Sequence, residues 1–282
     1  GTLFPYTTLF RSGGGAGKQY HARQCRRLLF LERTGSHVIA TSPAANLSFT
    51  RDFRGDFDVL LKAFDGPPFA FARFADGEAA LLRGDSHTAK SDGWRASGGA
   101  VPNLVDGLRQ ALECELPGWH LGITASSHHP NDHARLLHDV QLPESRVTFA
   151  ELFIFANWVR AAELLPTIPH VRVVGHGATA AFGERGFDIP PDATADSDFN
   201  IEPALDWMLT GHGPLLLSAG PVAKWLAFEY WWSTSPTLPI ANWTRYACVD
   251  VGSAISPLLR GGKPNRTYQR KGSDLREWVP EW

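Results

Sequence analysis

The sequence predicts one α/β domain over residues 45–262: a mainly parallel sheet flanked by helices. Two observations predict it. Short apolar runs bounded by turn residues alternate with longer stretches whose apolar positions repeat at helical spacing, which is the pattern of βαβ units. Three of the runs also end in glycine-containing turns with charged residues. Strands end this way where an open α/β sheet meets its ligand.

The elements follow in order. Phe57, Leu60, Leu61 and Phe64 stand at i, i+3, i+4 and i+7, so Asp56–Asp65 is a helix, stopped by Gly66-Pro67-Pro68. Phe69–Phe74 is a short buried strand with a helix after it. Leu104, Leu108 and Leu112 give Pro102–Leu116 an apolar stripe. His120–Thr124 is a strand, Asn131–Val140 a helix, and Ala150–Leu165 a helix stopped by Pro166. Val171–Gly175 is a strand, and Phe187–Phe199, rich in Asp and Pro, an exposed loop. Leu215–Ala219 is a buried strand that Gly220-Pro221 turns into the helix Val222–Trp232, whose Trp225, Trp231 and Trp232 read as core. Tyr246–Val251 is the last strand.

Composition narrows the function classes. With 43% hydrophobic and 20% charged residues, the 282-residue chain is not disordered, collagenous or coiled-coil. Its 27 basic and 29 acidic residues give a net charge of −2, against a globally basic nucleic-acid wrapper. Cys25, Cys114 and Cys248 are too scattered for a disulfide framework or a zinc site and fit a reducing, cytoplasmic setting. No stretch is expected to span a membrane: Glu151, Arg160 and Glu163 interrupt Phe149–Leu165, and Lys224 and Glu229 interrupt Pro214–Trp232.

Outside the domain, residues 1–19 read as a non-native or flexible leader and 20–44 as an extension. Gly13–Lys18 lacks the earlier Gly and the following Ser or Thr of a phosphate loop, so it reads as a linker. Residues 263–282 form a basic tail, including Lys263, Arg266, Arg270, Lys271 and Arg276. A solvated tail is favoured over a nucleic-acid contact.

Three strand ends hold the candidate chemistry. The first is Arg73-Phe74-Ala75-Asp76-Gly77-Glu78. On extended backbone, carboxylates at i and i+2 face one side and can share a hard cation such as Mg²⁺ or Mn²⁺. Gly77 lets a phosphate approach the main chain, and the planar fork of Arg73 suits one. The second is Gly220-Pro221-Val222-Ala223-Lys224, where free N–H groups at a helix start and the Lys224 charge suit an anion. The third is Asp250-Val251-Gly252, with Asp250 a candidate for a ribose or acceptor hydroxyl. Trp94, in a polar loop, suits stacking on a sugar or base. His129 and His133 have a metal spacing, but Pro130 starts a helix after His129, so these histidines read as surface or capping groups.

Together these stretches resemble the GT-D-fold glycosyltransferases, first catalogued as a domain of unknown function. That family shows an R-F-G-D-G-E-like motif, then an apolar strand running into G-P-T-A-K, then a strand ending in D-I-G. Here the matching residues are Arg73–Glu78, Gly220–Lys224 and Asp250–Gly252, in the same order. Ala75 replaces the family's Gly, and Ser253-Ala254-Ile255-Ser256 lacks the His and Asp that often follow. The resemblance implies a single Rossmann-like domain and a glycosyltransferase that takes a sugar from a nucleoside-diphosphate sugar, UDP-linked by preference, to a hydroxyl acceptor. In it Asp76 and Glu78 would hold Mn²⁺ or Mg²⁺ on the donor diphosphate. Arg73 or Lys224 would assist, and Asp250 or His87 would serve as base. The rival readings are a metal-dependent phosphohydrolase on a nucleotide or phosphosugar and a non-catalytic nucleotide-binding module.

Overall fold

The computed structural model describes residues 59, 62–88, 95–97, 102–123, 137–142, 147, 167–194, 196, 199–235 and 246–261, all within the unit Thr41–Trp282. For residues 76, 86–88, 95–97, 102 and 123 the description covers the backbone alone.

The strands are β1 (Ala70–Phe74), β2 (Ser86–Thr88), β3 (Arg95–Ser97), β4 (Trp119–Ile123), β5 (Arg172–Gly175), β6 (Gly186–Asp188), β7 (Leu215–Ser218) and β8 (Cys248–Asp250). The helices are α1 (Asp76–Leu82), α2 (Pro102–Glu113), α3 (Ala178–Phe182), α4 (Glu202–Thr210), α5 (Pro221–Ser233) and α6 (Ser256–Leu259). Six strands form a wholly parallel sheet in the order β4-β1-β8-β7-β5-β6, and β2 and β3 pair separately as an antiparallel ribbon. Val147 adds a parallel bridge to Leu121 of β4.

Both faces of the sheet are covered, as a parallel sheet requires. Side chains alternate along each strand. Phe69, Phe71, Val173, Leu216, Val249 and Val251 therefore pack into one core, together with Ala178 of α3, Leu259 of α6 and Ala254 and Ile255 between β8 and α6. On the opposite face α5 lies against β1 and β8, with α2 and α4 beside it. Every residue of α5 from Pro221 to Trp231 is buried. A helix whose apolar residues run round its whole circumference, with Lys224 and Glu229 its only charged side chains, belongs inside a domain, which is where the tryptophan-rich pattern placed it. Trp225, Tyr230 and Trp231 are among the largest fully buried side chains, each stabilising the fold by about 2–3 kcal/mol.

The predicted elements within the described residues are found within a few positions. The helix Asp56–Asp65 is represented by Val59, Lys62 and Ala63, and Asn131–Val140 by Leu137–Asp139. Ala150–Leu165 and residues 263–282 lie outside the described residues. The reading of Phe187–Phe199 as an exposed loop is corrected: Phe187 and Asp188 complete the edge strand β6, and Ile189, Ala193 and Thr194 are buried. Among the described residues, α3, α4 and α6 are additions to the predicted set.

The connections diverge between two neighbouring strands. From β1 the chain passes through α1, the β2–β3 ribbon and α2 to β4 on one side. From β8 it turns through Gly252–Ile255 into α6, which packs against α3 on the other side. The carboxyl ends of β1 and β8 thus flank a topological switch point.

Candidate functional site

The three motifs that are far apart in the chain meet at this switch point, because β1, β8 and β7 are adjacent. Arg73, Glu78, Lys224 and Asp250 form one cluster there, all buried, with Lys224 2% and Asp250 0% exposed.

The cluster is built around Lys224, in the first turns of α5. Its ammonium lies 2.8 Å from Oε1 of Glu78 and 3.0 Å from Oδ2 of Asp250, and it donates to the carbonyl of Gly220 at 3.1 Å. An ammonium has three protons, so these three acceptors satisfy it. Oε2 of Glu78 accepts the Ala75 N–H at 2.9 Å. Oδ2 of Asp250 also accepts the Arg73 main-chain N–H at 3.3 Å, and Oδ1 accepts the Gly252 N–H at 3.0 Å. Ser218, the last residue of β7, donates its hydroxyl to the Gly252 carbonyl at 2.7 Å. Three loop starts on three strands are thus tied by side chains as well as by the sheet ladder.

The local geometry follows from the sequence. β1 ends at Phe74, and Ala75 is the N-cap of α1 in extended conformation, φ −136° and ψ −170°. Any residue adopts that conformation, so Ala in place of Gly is no obstacle here. Glu78 is three residues beyond the cap, and its carboxylate reaches back to the cap N–H, which is one half of a capping box. Gly220 (φ +55°) turns β7 into α5, with Pro221 at the first helical position. Gly252 (φ +51°) packs so closely on the Arg73 guanidinium that a Cβ there would collide with Nη2. The small residue and the positive φ are both needed.

The electrostatics are balanced. Two cations and two anions share the cluster, so its formal charge is zero. Burial pushes the Glu78 carboxyl up, but the Lys224 charge and hydrogen bond, the Ala75 N–H and the Arg73 charge outweigh it. The pKa of Glu78 lies below its ordinary value of 4.5. On the same strand as Asp250, burial pushes the Cys248 thiol up more than the Arg172 charge lowers it, which makes it an inert group.

Several expectations are corrected. Asp76 and Glu78 do not share extended backbone. Both lie in the first turn of α1, where residues two apart diverge by roughly 200° about the axis. Glu78 points into the cluster, and the Asp76 side chain lies outside the described residues. Lys224 is neither a surface charge nor a point charge open to an outside anion. Asp250 has both oxygens engaged and no exposed surface, the setting of a counter-ion rather than a base facing an acceptor hydroxyl. Gly77 is buried as the second residue of α1. His87 is in β2, its side chain outside the described residues, as are Trp94, His129 and His133. Ser218 was missed because it reads as the end of an apolar strand, and nothing local signals its bond to Gly252.

A divalent cation is poorly served by this donor set. Both oxygens of Glu78 and both of Asp250 already accept hydrogen bonds or ion pairs within the protein. No group of three or more His, Cys, Asp or Glu among the described residues is placed to hold a metal ion. No helix among them is long and apolar enough to cross a membrane.

No family model and no curated protein matches the chain. The chain is similar to a solved structure of the "highly conserved domain of unknown function 1792", described as having "a distinct glycosyltransferase fold", at 16% identity and a TM-score of 0.41. The match covers 68% of this chain and 76% of that one.

Proposed function

We propose that this protein is a glycosyltransferase that moves a sugar from a nucleoside-diphosphate sugar, a UDP-sugar first among them, to a hydroxyl acceptor. One observation carries the reading: Arg73–Glu78, Gly220–Lys224 and Asp250–Gly252, singled out by their resemblance to one family, converge on adjacent strand ends at the switch point. Open α/β sheets bind nucleotides at that place.

In this reading the ion cluster is the floor of the donor site. Its net neutrality gives it no general pull on a diphosphate. It fixes the main chain at the start of α1, at Gly220 and at Gly252, so that the first-turn N–H groups of α1, which no carbonyl of that helix reaches, stand ready where negative charge develops on the leaving diphosphate. Donors that need not reorganise during the reaction are worth about 10²–10³-fold each in rate. Asp76 is the acidic group of the first motif not assigned to the cluster, and it is assigned to the donor side.

A panel of sugar nucleotides incubated with the protein, with and without Mn²⁺, tests the reading by mass spectrometry of cleaved donor and glycosylated acceptor. The expected result is acceptor-dependent release of nucleoside diphosphate that falls at least about 10²-fold in Asp76→Asn. Release of sugar to water alone, equal with and without acceptors, would replace the transferase by a hydrolase.

A further inference from the structure

Asp76 and Glu78 stand two residues apart in the first turn of α1, which sets them on different sides of the helix. Glu78 turns away from the loop surface to an ammonium at 2.8 Å, its other oxygen holds the N-cap of its own helix at 2.9 Å, and it is 4% exposed. Each Glu78 oxygen keeps a second lone pair, but a cation bound there would sit beside the Lys224 ammonium, 2.8 Å from the same carboxylate, in a buried site where like charges repel most strongly.

We infer that Glu78 is a positioning residue, the internal counter-ion of Lys224, and not a ligand for a divalent cation. Through Lys224 it joins the start of α1 to Asp250, whose other oxygen holds the Gly252 N–H. The Ala75 and Gly252 main chains, on either side of the switch point, are therefore set by one ammonium. The consequence for the donor site rests on the transferase reading; the assignment of Glu78 does not.

The test uses the full chain and Glu78→Gln, which keeps the size of the side chain and an oxygen for the Ala75 N–H while removing the charge. Free Mn²⁺ is titrated by electron paramagnetic resonance, without nucleotide and with UDP. The variant is expected to match the parent within twofold in Mn²⁺ uptake, including the case in which neither takes up Mn²⁺. A tenfold or greater weakening of Mn²⁺ binding in Glu78→Gln would overturn the inference.

A second measurement follows amide hydrogen exchange at Ala75 and Gly252 in Glu78→Gln and in Lys224→Met. Exchange is expected to rise at least tenfold at both amides in Lys224→Met, and in the same direction at both in Glu78→Gln. A change at Ala75 alone in Glu78→Gln would reduce Glu78 to a local cap and end its role as counter-ion. Should Lys224→Met fail to fold, Glu78→Gln alone decides. If neither UDP nor any other nucleoside diphosphate binds the parent chain at millimolar concentration, the transferase reading falls, while the Mn²⁺ and exchange results still decide the role of Glu78.

Discussion

The Lys224 ammonium lies 2.8 Å from a carboxylate oxygen of Glu78, and both side chains are almost wholly withdrawn from water. Such a pair stabilises little by its own attraction, because stripping water from each ion costs about as much as the attraction returns. It is nevertheless expensive to break. Lys224→Met would leave Glu78 and Asp250 buried with Arg73 as their remaining cation. The expected loss is about 3–5 kcal/mol in urea denaturation. Adding Glu78→Gln to Lys224→Met should restore part of it, which identifies the cost as uncompensated charge rather than lost packing.

Acid should weaken the fold through Glu78. Its carboxyl titrates lower in the folded chain than in the unfolded one, so the unfolded state binds the proton first as pH falls. The stability it contributes is present in full above its ordinary value of 4.5 and is lost as pH falls from there through the lower folded value. Denaturation free energies measured between pH 7 and pH 3 should show this decline. The decline should be shallower in Glu78→Gln, and an identical slope in that variant would remove Glu78 as its source.

Gly252→Ala tests the packing on Arg73. The added methyl meets the guanidinium, and φ at this position, +51°, is costly for any L side chain. Strain and overpacking together predict a loss of about 2–4 kcal/mol. Thermal melting checks it. A stability within about 0.5 kcal/mol of the parent chain would mean that Arg73 has another place to go.

Arg172 supplies a control at the other end of the sheet. Its guanidinium donates to the carbonyls of Trp207 at 3.0 Å, Met208 at 2.9 Å and Gly213 at 3.4 Å, and it lies 5.0 Å from the Trp207 ring centroid. It thereby satisfies carbonyls at the C-terminal end of α4 that no later turn can reach. Arg172→Met should cost about 2–4 kcal/mol by leaving buried acceptors without donors. Calorimetry with UDP on the folded fraction should give the affinity of the parent chain, because Arg172 begins β5 at the end remote from the cluster.

The sheet was legible because its strands are short apolar runs between glycines and prolines, and burial on both faces demands such runs. The strands of β1, β4, β5, β7 and β8 were read for that reason. α4 was missed although Ile201, Ala204, Leu205 and Met208 carry helical spacing and all are buried, because the acidic, proline-bearing stretch before it suggested continuing loop. The site was half legible. Type and order of residues pointed to Arg73, Glu78, Lys224 and Asp250. Reading Asp76 and Glu78 as one extended pair ignored a local signal, a Glu three residues beyond a helix cap. That Lys224 would find Glu78 was beyond reach, since the two lie far apart in sequence and only the β1-β8-β7 order of the sheet, with α5 packed against β1, brings them together.

Helix α5 has two duties. The same two turns that insert Trp225 into the interior deliver the Lys224 side chain to the strand ends. Repacking the interior around Trp225 would therefore tilt the helix and withdraw the ammonium from its carboxylates. Directed-evolution libraries aimed at a new specificity should accordingly leave Val222–Leu226 untouched and vary the loops above.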